Sequence, residues 1–298
     1  MEAGTTNKKN LIFIIIGILL FFAAFIYSYN IYKTEGEKRS VFVEKAPEGN
    51  TDFIEILAYI VSIDPIKGDM TVRLDFQPKG ALANEKGMLN EEVDLYVNSL
   101  TGKQEYSFTK GKIINPIDVT LNLYDGLVTD YPFDKHKADL IVVTASKQKQ
   151  SKTEVNTEED GDVSIDNIVN FSGSVTGYKI DAELEKSSPD NTTELYIDIA
   201  RAGSTKFFSV LVMIIMWVLI SMLFLLIFDI LVRGRKIEIA MFTFASAMLF
   251  AFPAFRNMMP LSPPIGAFPD YVAFFWAEGM AALTLVLLIL TWFKRQAS

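Results

Sequence analysis

Four apolar runs decide what this chain can become. Residues 11–29 carry no charge, and at about 1.5 Å per residue they reach across the roughly 30 Å hydrocarbon core of a bilayer. Three more runs crowd the C-terminal third: residues 207–232, broken only by Asp229; residues 237–255; and residues 271–293, broken by Glu278. Between the first run and the second, residues 30–206 are polar and mixed in charge. The pattern predicts one transmembrane helix, a folded insert, and three further transmembrane helices. Positive charges near a span stay cytoplasmic. Lys8 and Lys9, then Arg233, Arg235 and Lys236, then Lys294 and Arg295 all fall on one side, so the tails 1–10 and 294–298 are expected inside and residues 30–206 outside or periplasmic. The first run reads as an uncleaved signal anchor of a multi-pass plasma-membrane protein. It is longer than a secretory h-region, and Tyr27, Ser28, Tyr29 and Asn30 offer no small-x-small cleavage site.

Composition agrees with two unlike parts. The chain is 50% hydrophobic, too much for a soluble domain, yet 21% charged, too much for a chain wholly in lipid. The insert holds 31 acids against 20 bases, which concentrates a net charge of −11 there within an overall −8. Such an exterior favours solubility or basic partners and repels nucleic acid. With no cysteine, disulfides, thiol nucleophiles and Cys-ligated metal centres are excluded, and one histidine leaves no His-rich metal site. Phosphate loops, nucleophile elbows and zinc-protease motifs are also missing, so neither a cofactor nor a catalytic set is expected.

Inside the insert, apolar residues alternate with period two. Val72, Leu74 and Phe76; Val93, Leu95 and Val97; Ile117, Val119, Leu121 and Leu123; and Leu195, Ile197 and Ile199 each mark a strand. Residues 53–63 and 140–143 are denser and predict central strands packed on both faces. Turn residues recur at Asp64 and Pro65, at Lys67, Gly68 and Asp69, and at Pro189, Asp190 and Asn191. About eight strands over this length predict an antiparallel β-sandwich. The overall class is α+β. Residues 147–162 are almost devoid of apolar side chains and read as a mobile, solvated loop. Asn170 and Asn191 each begin a glycosylation sequon.

Tyr131, Pro132, Phe133 and Asp134 lie between two strands, followed by Lys135, His136 and Lys137. Proline fixes a turn, the aromatics bury apolar area, and the aspartate can hold turn amides. The segment resembles the hairpin loop with which the sandwich of pentameric ligand-gated ion channels presses on its membrane domain. The flanking cysteines of that loop are absent here. His136 reads as a surface-loop histidine. Residues 256–270 form a second distinctive segment: Arg256, Asn257, Met258, Met259 and Pro260, then Pro263, Pro264, Ile265 and Gly266, then Asp270. Pro260, Pro263 and Pro264 cannot be helical, so a stiff external loop is expected between the third and fourth spans, a docking surface for the sandwich. Together with Phe274, Phe275, Trp276, Ala277 and Glu278 and the one-plus-three helix layout, these residues resemble an uncharacterised family of membrane proteins, domain of unknown function 4436. That resemblance implies topology and architecture and no activity. Its Pro-Gly-Ala-Pro-Pro pattern is replaced here by Pro260, Leu261, Ser262, Pro263 and Pro264.

Glu278 lies eight residues after Asp270, some 12 Å along a helix, where a carboxylate must be paired, protonated or wet. Arg256 is its expected partner, giving either a clamp between helices or part of a proton or ion path. Ala277 and Ala281 mark a face that a second helix can approach closely. Asp229 and Arg233, four apart, are expected to pair at the cytoplasmic edge. The expected function is non-enzymatic: a scaffold, accessory or sensing subunit of an envelope complex, with the bilayer and a protein partner or a second copy as neighbours. The alternative is an oligomeric channel or transporter component using Glu278.

Overall fold

A computed structural model describes residues 3–37, 41–43, 51–146, 163–185 and 191–296. Its elements are helix α1 (Ala3–Glu37), strands β1 (Val41–Val43), β2 (Phe53–Asp64), β3 (Asp69–Pro78), β4 (Val93–Val97), β5 (Glu105–Phe108), β6 (Ile117–Asn122), β7 (Lys135–Ser146), β8 (Val163–Ser164), β9 (Asp166–Gly173), β10 (Tyr178–Leu184) and β11 (Thr192–Arg201), and helices α2 (Gly203–Val232), α3 (Ile239–Asn257) and α4 (Phe275–Gln296). The fold is α+β. Four helices are long and apolar enough to cross a membrane, one of them N-terminal.

Period-two alternation produces the strands it should. Met70, Val72, Leu74 and Phe76 of β3 face inward, as do Leu195, Ile197 and Ile199 of β11, and each set is buried. One sheet runs β1-β9-β2-β3-β6 and the other β10-β11-β7-β4-β5, with β8 beside β7; their inner faces share one core. Eleven strands are present among the described residues, three more than the alternation count. The sheets are not purely antiparallel, because β2 and β9 run parallel, Ile56 opposite Val169. The reason is topological: β9 is entered from β8 in the other sheet through Ile165, not by a hairpin from β2, so its direction beside β2 is free to be parallel. Nor are β2 and β7 packed on both faces. They occupy central positions, but their burial alternates, leaving one face of each toward the exterior. The turn between β2 and β3 forms where Asp64 and Gly68 predict it, with the Asp64 carboxylate accepting the Ile66 and Lys67 amides at 3.1 Å.

Three of the four helical segments exceed their predicted limits, and α3 is shifted two residues toward the C-terminus. α1 extends the run 11–29 in both directions, α3 ends at Asn257 rather than 255, and a π-helical turn at Asp270–Phe274 leads into α4. α2 is apolar on every side, yet Thr205, Ser209, Met213, Met216, Ile220, Leu223, Ile227 and Ile230 form its buried stripe, spaced three and four residues apart. In the same buried cluster, the π-helical turn supplies Ala273 and α4 supplies Ala277 and Ala281, whose small side chains permit close approach. The loop expected at 147–162 and the turn residues Pro189 and Asp190 lie outside the described residues.

Candidate functional site: the junction between sheets and helices

The Tyr131 corner is where the β domain meets the helices. A short turn, Val128–Asp130, aims Tyr131 inward, and the Tyr131–Pro132 peptide is cis. Tyr131 is fully buried. Its hydroxyl donates to the Pro260 carbonyl at 2.6 Å and lies 2.6 Å from Ser209 Oγ on α2. Ser209 in turn reaches the Thr205 carbonyl at 2.7 Å, so its single proton serves either Thr205 or Tyr131. One phenol thus touches both α2 and the α3–α4 loop. Beside it, the Phe133 ring packs edge-on against Phe268, centroids 6.0 Å apart. The predicted docking residues Tyr131, Phe133 and Pro260 therefore do converge; Pro263 is buried in the same loop and Pro264 half-buried.

Asp134 does not hold turn amides. Its buried carboxylate takes a bidentate fork from Arg201, the last residue of β11, with Arg201 Nε 2.9 Å from Oδ1 and Nη2 2.8 Å from Oδ2. The Arg201 guanidinium lies between two rings, 5.1 Å from the centroid of Tyr131 and 4.9 Å from that of Tyr178, and donates to Tyr178 Oη at 3.1 Å. Burial pushes the Asp134 carboxyl up, but the His136 and Arg201 hydrogen bonds outweigh it and hold the group below the usual carboxylate range. Burial pushes both the Tyr131 and Tyr178 phenols up, which keeps them neutral. His136 corrects its surface reading: it sits on β7, buried, with Nε2 3.1 Å from Asp134 Oδ2. Gly126 lets this happen, since a Cβ there would meet the Lys135 carbonyl and His136 Nδ1.

Arg201, Tyr178 and Ser209 were not among the expected site residues. A signal for Arg201 was present: it continues the inward phase of Leu195, Ile197 and Ile199. Likewise His136 shares a phase with Ala138, Leu140 and Val142.

Arg256 also takes a different partner from the expected one. Its Nε is 2.9 Å from Asp270 Oδ1 and its Nη2 3.0 Å from Oδ2, while Nη2 also donates to the Pro264 carbonyl at 2.7 Å. Asp270 further accepts the Gly266 amide at 2.7 Å. The proline loop turns back at Leu261 and Ser262, both at positive φ, which brings Asp270 alongside Arg256. Glu278, two helical turns deeper, is half-buried, and its buried Oε2 has no hydrogen-bond partner among the described residues. The predicted Arg256–Glu278 clamp is thus an Arg256–Asp270 staple that ties the loop shut. At the opposite end, Asp229 pairs with Arg233 at 3.1 Å as expected, and also meets Arg235 at 3.5 Å. Arg295 adds a tie there, donating to the Ile230 and Arg235 carbonyls.

The sequence divides at this junction. Residues 44–199 match a family described as a domain of unknown function, DUF4436, and residues 201–295 match another, DUF8686. No curated protein matches the chain. Arg201 opens the second segment and Asp134 lies in the first, so the buried fork joins the two. With the first match covering more than half of its length, the chain belongs to the DUF4436 family.

Proposed function

We propose that the chain is a four-span integral membrane protein that acts without catalysis, as a sensing or accessory subunit of a cell-envelope complex. Residues 30–206 stand outside the plasma membrane on an uncleaved signal anchor, and both tails are cytoplasmic. The acidic β domain receives a protein partner or a second copy, and the junction carries the effect to the helices. One observation supports this reading above the rest: the Tyr131 hydroxyl bonds α2 and the α3–α4 loop together, so no slack separates the β domain from the two C-terminal spans. The flanking positive charges support the orientation.

Affinity purification of the full chain in mild detergent from native membranes is expected to recover a stoichiometric partner. A chain recovered alone at every salt concentration overturns the assignment. In the same preparation, Tyr131→Phe keeps the ring and removes the hydroxyl, leaving the Pro260 carbonyl without its donor. Amide exchange in residues 258–268 is expected to accelerate roughly tenfold, the equivalent of one hydrogen bond of about 1–1.5 kcal/mol, with exchange in β3 and β7 unchanged. Unchanged exchange in the loop removes the coupling role of Tyr131.

A second reading is favoured by Glu278, whose buried Oε2 has no partner inside the helical part. In an oligomer this carboxyl would serve a proton or ion path. Glu278→Gln is then expected to abolish ion flux in reconstituted vesicles, and flux equal to wild type rejects a path through this residue.

A further inference from the structure

A groove of about 440 Å³, within the range of small-ligand sites, opens where α1 ends, α2 begins and the β9–β10 turn passes between them. Tyr32, Val175 and Tyr178 give it apolar walls, and Glu35 and Lys179 give it one carboxylate and one ammonium. Glu35 Oε1 is already engaged at the start of α2, accepting the Ser204 amide at 2.7 Å, so the carboxylate is fixed in place. Lys179 Nζ holds Asp181 at 2.6 Å with protons to spare.

We propose that this groove seats a zwitterionic phospholipid of the outer leaflet, an inference that rests on the reading of α1 and α2 as spans. The apolar stretches of both helices reach the groove, one ending at Glu35 and the other starting at Gly203. That places it at headgroup depth. Just beneath, one helical turn into α2, the Phe207 ring packs on Tyr27 at 5.4 Å and on Phe208 at 5.6 Å, an aromatic belt of the kind found at that depth. Farther down the helices part. The half-buried positions of α1 are Ala24, Ser28, Ile31 and Glu35, spaced four, three and four, whereas every described side chain from Leu11 to Ala23 is exposed. α1 therefore leans on α2 only near the groove, and an acyl chain can run below it between two apolar surfaces. The charges select the headgroup. One ammonium and one carboxylate match a phosphate and a quaternary or primary amine, while the net −11 of residues 30–206 disfavours an anionic lipid. The occupant would touch Tyr178, the residue that also holds Arg201.

The test uses the full chain in phosphatidylcholine vesicles containing a trace of phosphatidylcholine with a photoactivatable group high on one acyl chain, and maps adducts by peptide mass spectrometry. Adducts are expected to concentrate in residues 27–35 and 174–179. Ser174→Trp and Thr34→Trp fill the groove from exposed positions, and either is expected to cut that labelling roughly tenfold, a loss of about 1.4 kcal/mol of binding. Labelling of the exposed Phe224 and Phe228 face stays constant in both variants and shows that they insert normally. Labelling in the groove peptides that ignores both tryptophans overturns the proposal. Competition by soluble glycerophosphocholine overturns it in favour of a soluble ligand, and stronger labelling from a phosphatidylglycerol probe overturns the zwitterion. An absence of adducts everywhere on α1 and α2 instead rejects their reading as spans.

Discussion

Arg201→Ala is expected to lower stability by about 3–5 kcal/mol, because it leaves the Asp134 carboxylate buried without its principal counter-charge. In a β domain of this size that corresponds to a fall in Tm of about 6–20 °C. His136 remains beside Asp134, but the guanidinium supplies two of the bonds to the carboxylate and fills the space between the Tyr131 and Tyr178 rings. Arg201→Lys keeps the charge and is expected to recover only part of the loss, since one ammonium cannot reproduce the fork to Asp134 and the contacts with both rings at once. The double variant Asp134→Ala with Arg201→Ala is expected to lose less than the two single variants together. Thermal unfolding in detergent, followed by intrinsic tyrosine and tryptophan fluorescence, measures all four. Additive losses, or an Arg201→Ala protein that melts with wild type, would mean that the fork contributes nothing to joining the β domain to α2.

Residues that belong to one strand were legible; residues joined across the topology were not. Val72, Leu74 and Phe76 announce an inward face because the side-chain period of a strand is two whatever surrounds it. The parallel pairing of β2 with β9 leaves no such trace, since it is set by the entry of β9 from the other sheet rather than by local alternation. The Tyr131 corner and the proline loop were readable as two rigid pieces on one side of the chain, and they do meet. What Asp134 would bond was not readable, as its partner lies 67 residues away at the end of another strand. Reading His136 and Arg201 as inward-phase polar residues would have placed both in the interior, where charge demands a partner. For Arg256 the error had a different source. Glu278 lies in an apolar helix and demands a partner, which drew the arginine inward, while Asp270 was given no partner of its own. The fold of the proline loop, with Leu261 and Ser262 at positive φ, reverses that choice.

Two double-mutant cycles separate these alternatives. Arg256→Ala and Asp270→Ala are expected to be strongly non-additive, with a coupling of about 0.5–3 kcal/mol, because either change alone strands a buried charge and frees the Pro264 carbonyl or the Gly266 amide. Arg256→Ala and Glu278→Ala are expected to add to within about 0.5 kcal/mol, since no partner among the described residues is shared between them. Thermal unfolding in one detergent serves both cycles, and coupling larger for Glu278 than for Asp270 would restore the deep clamp. Glu278→Met then completes the argument. A side chain whose buried Oε2 finds no hydrogen bond among the described residues costs the fold something, so an apolar replacement of similar length is expected to leave stability equal or raise it. A carboxyl that the fold does without, in a helix where it is expensive, would then owe its presence to a task other than holding the helices together.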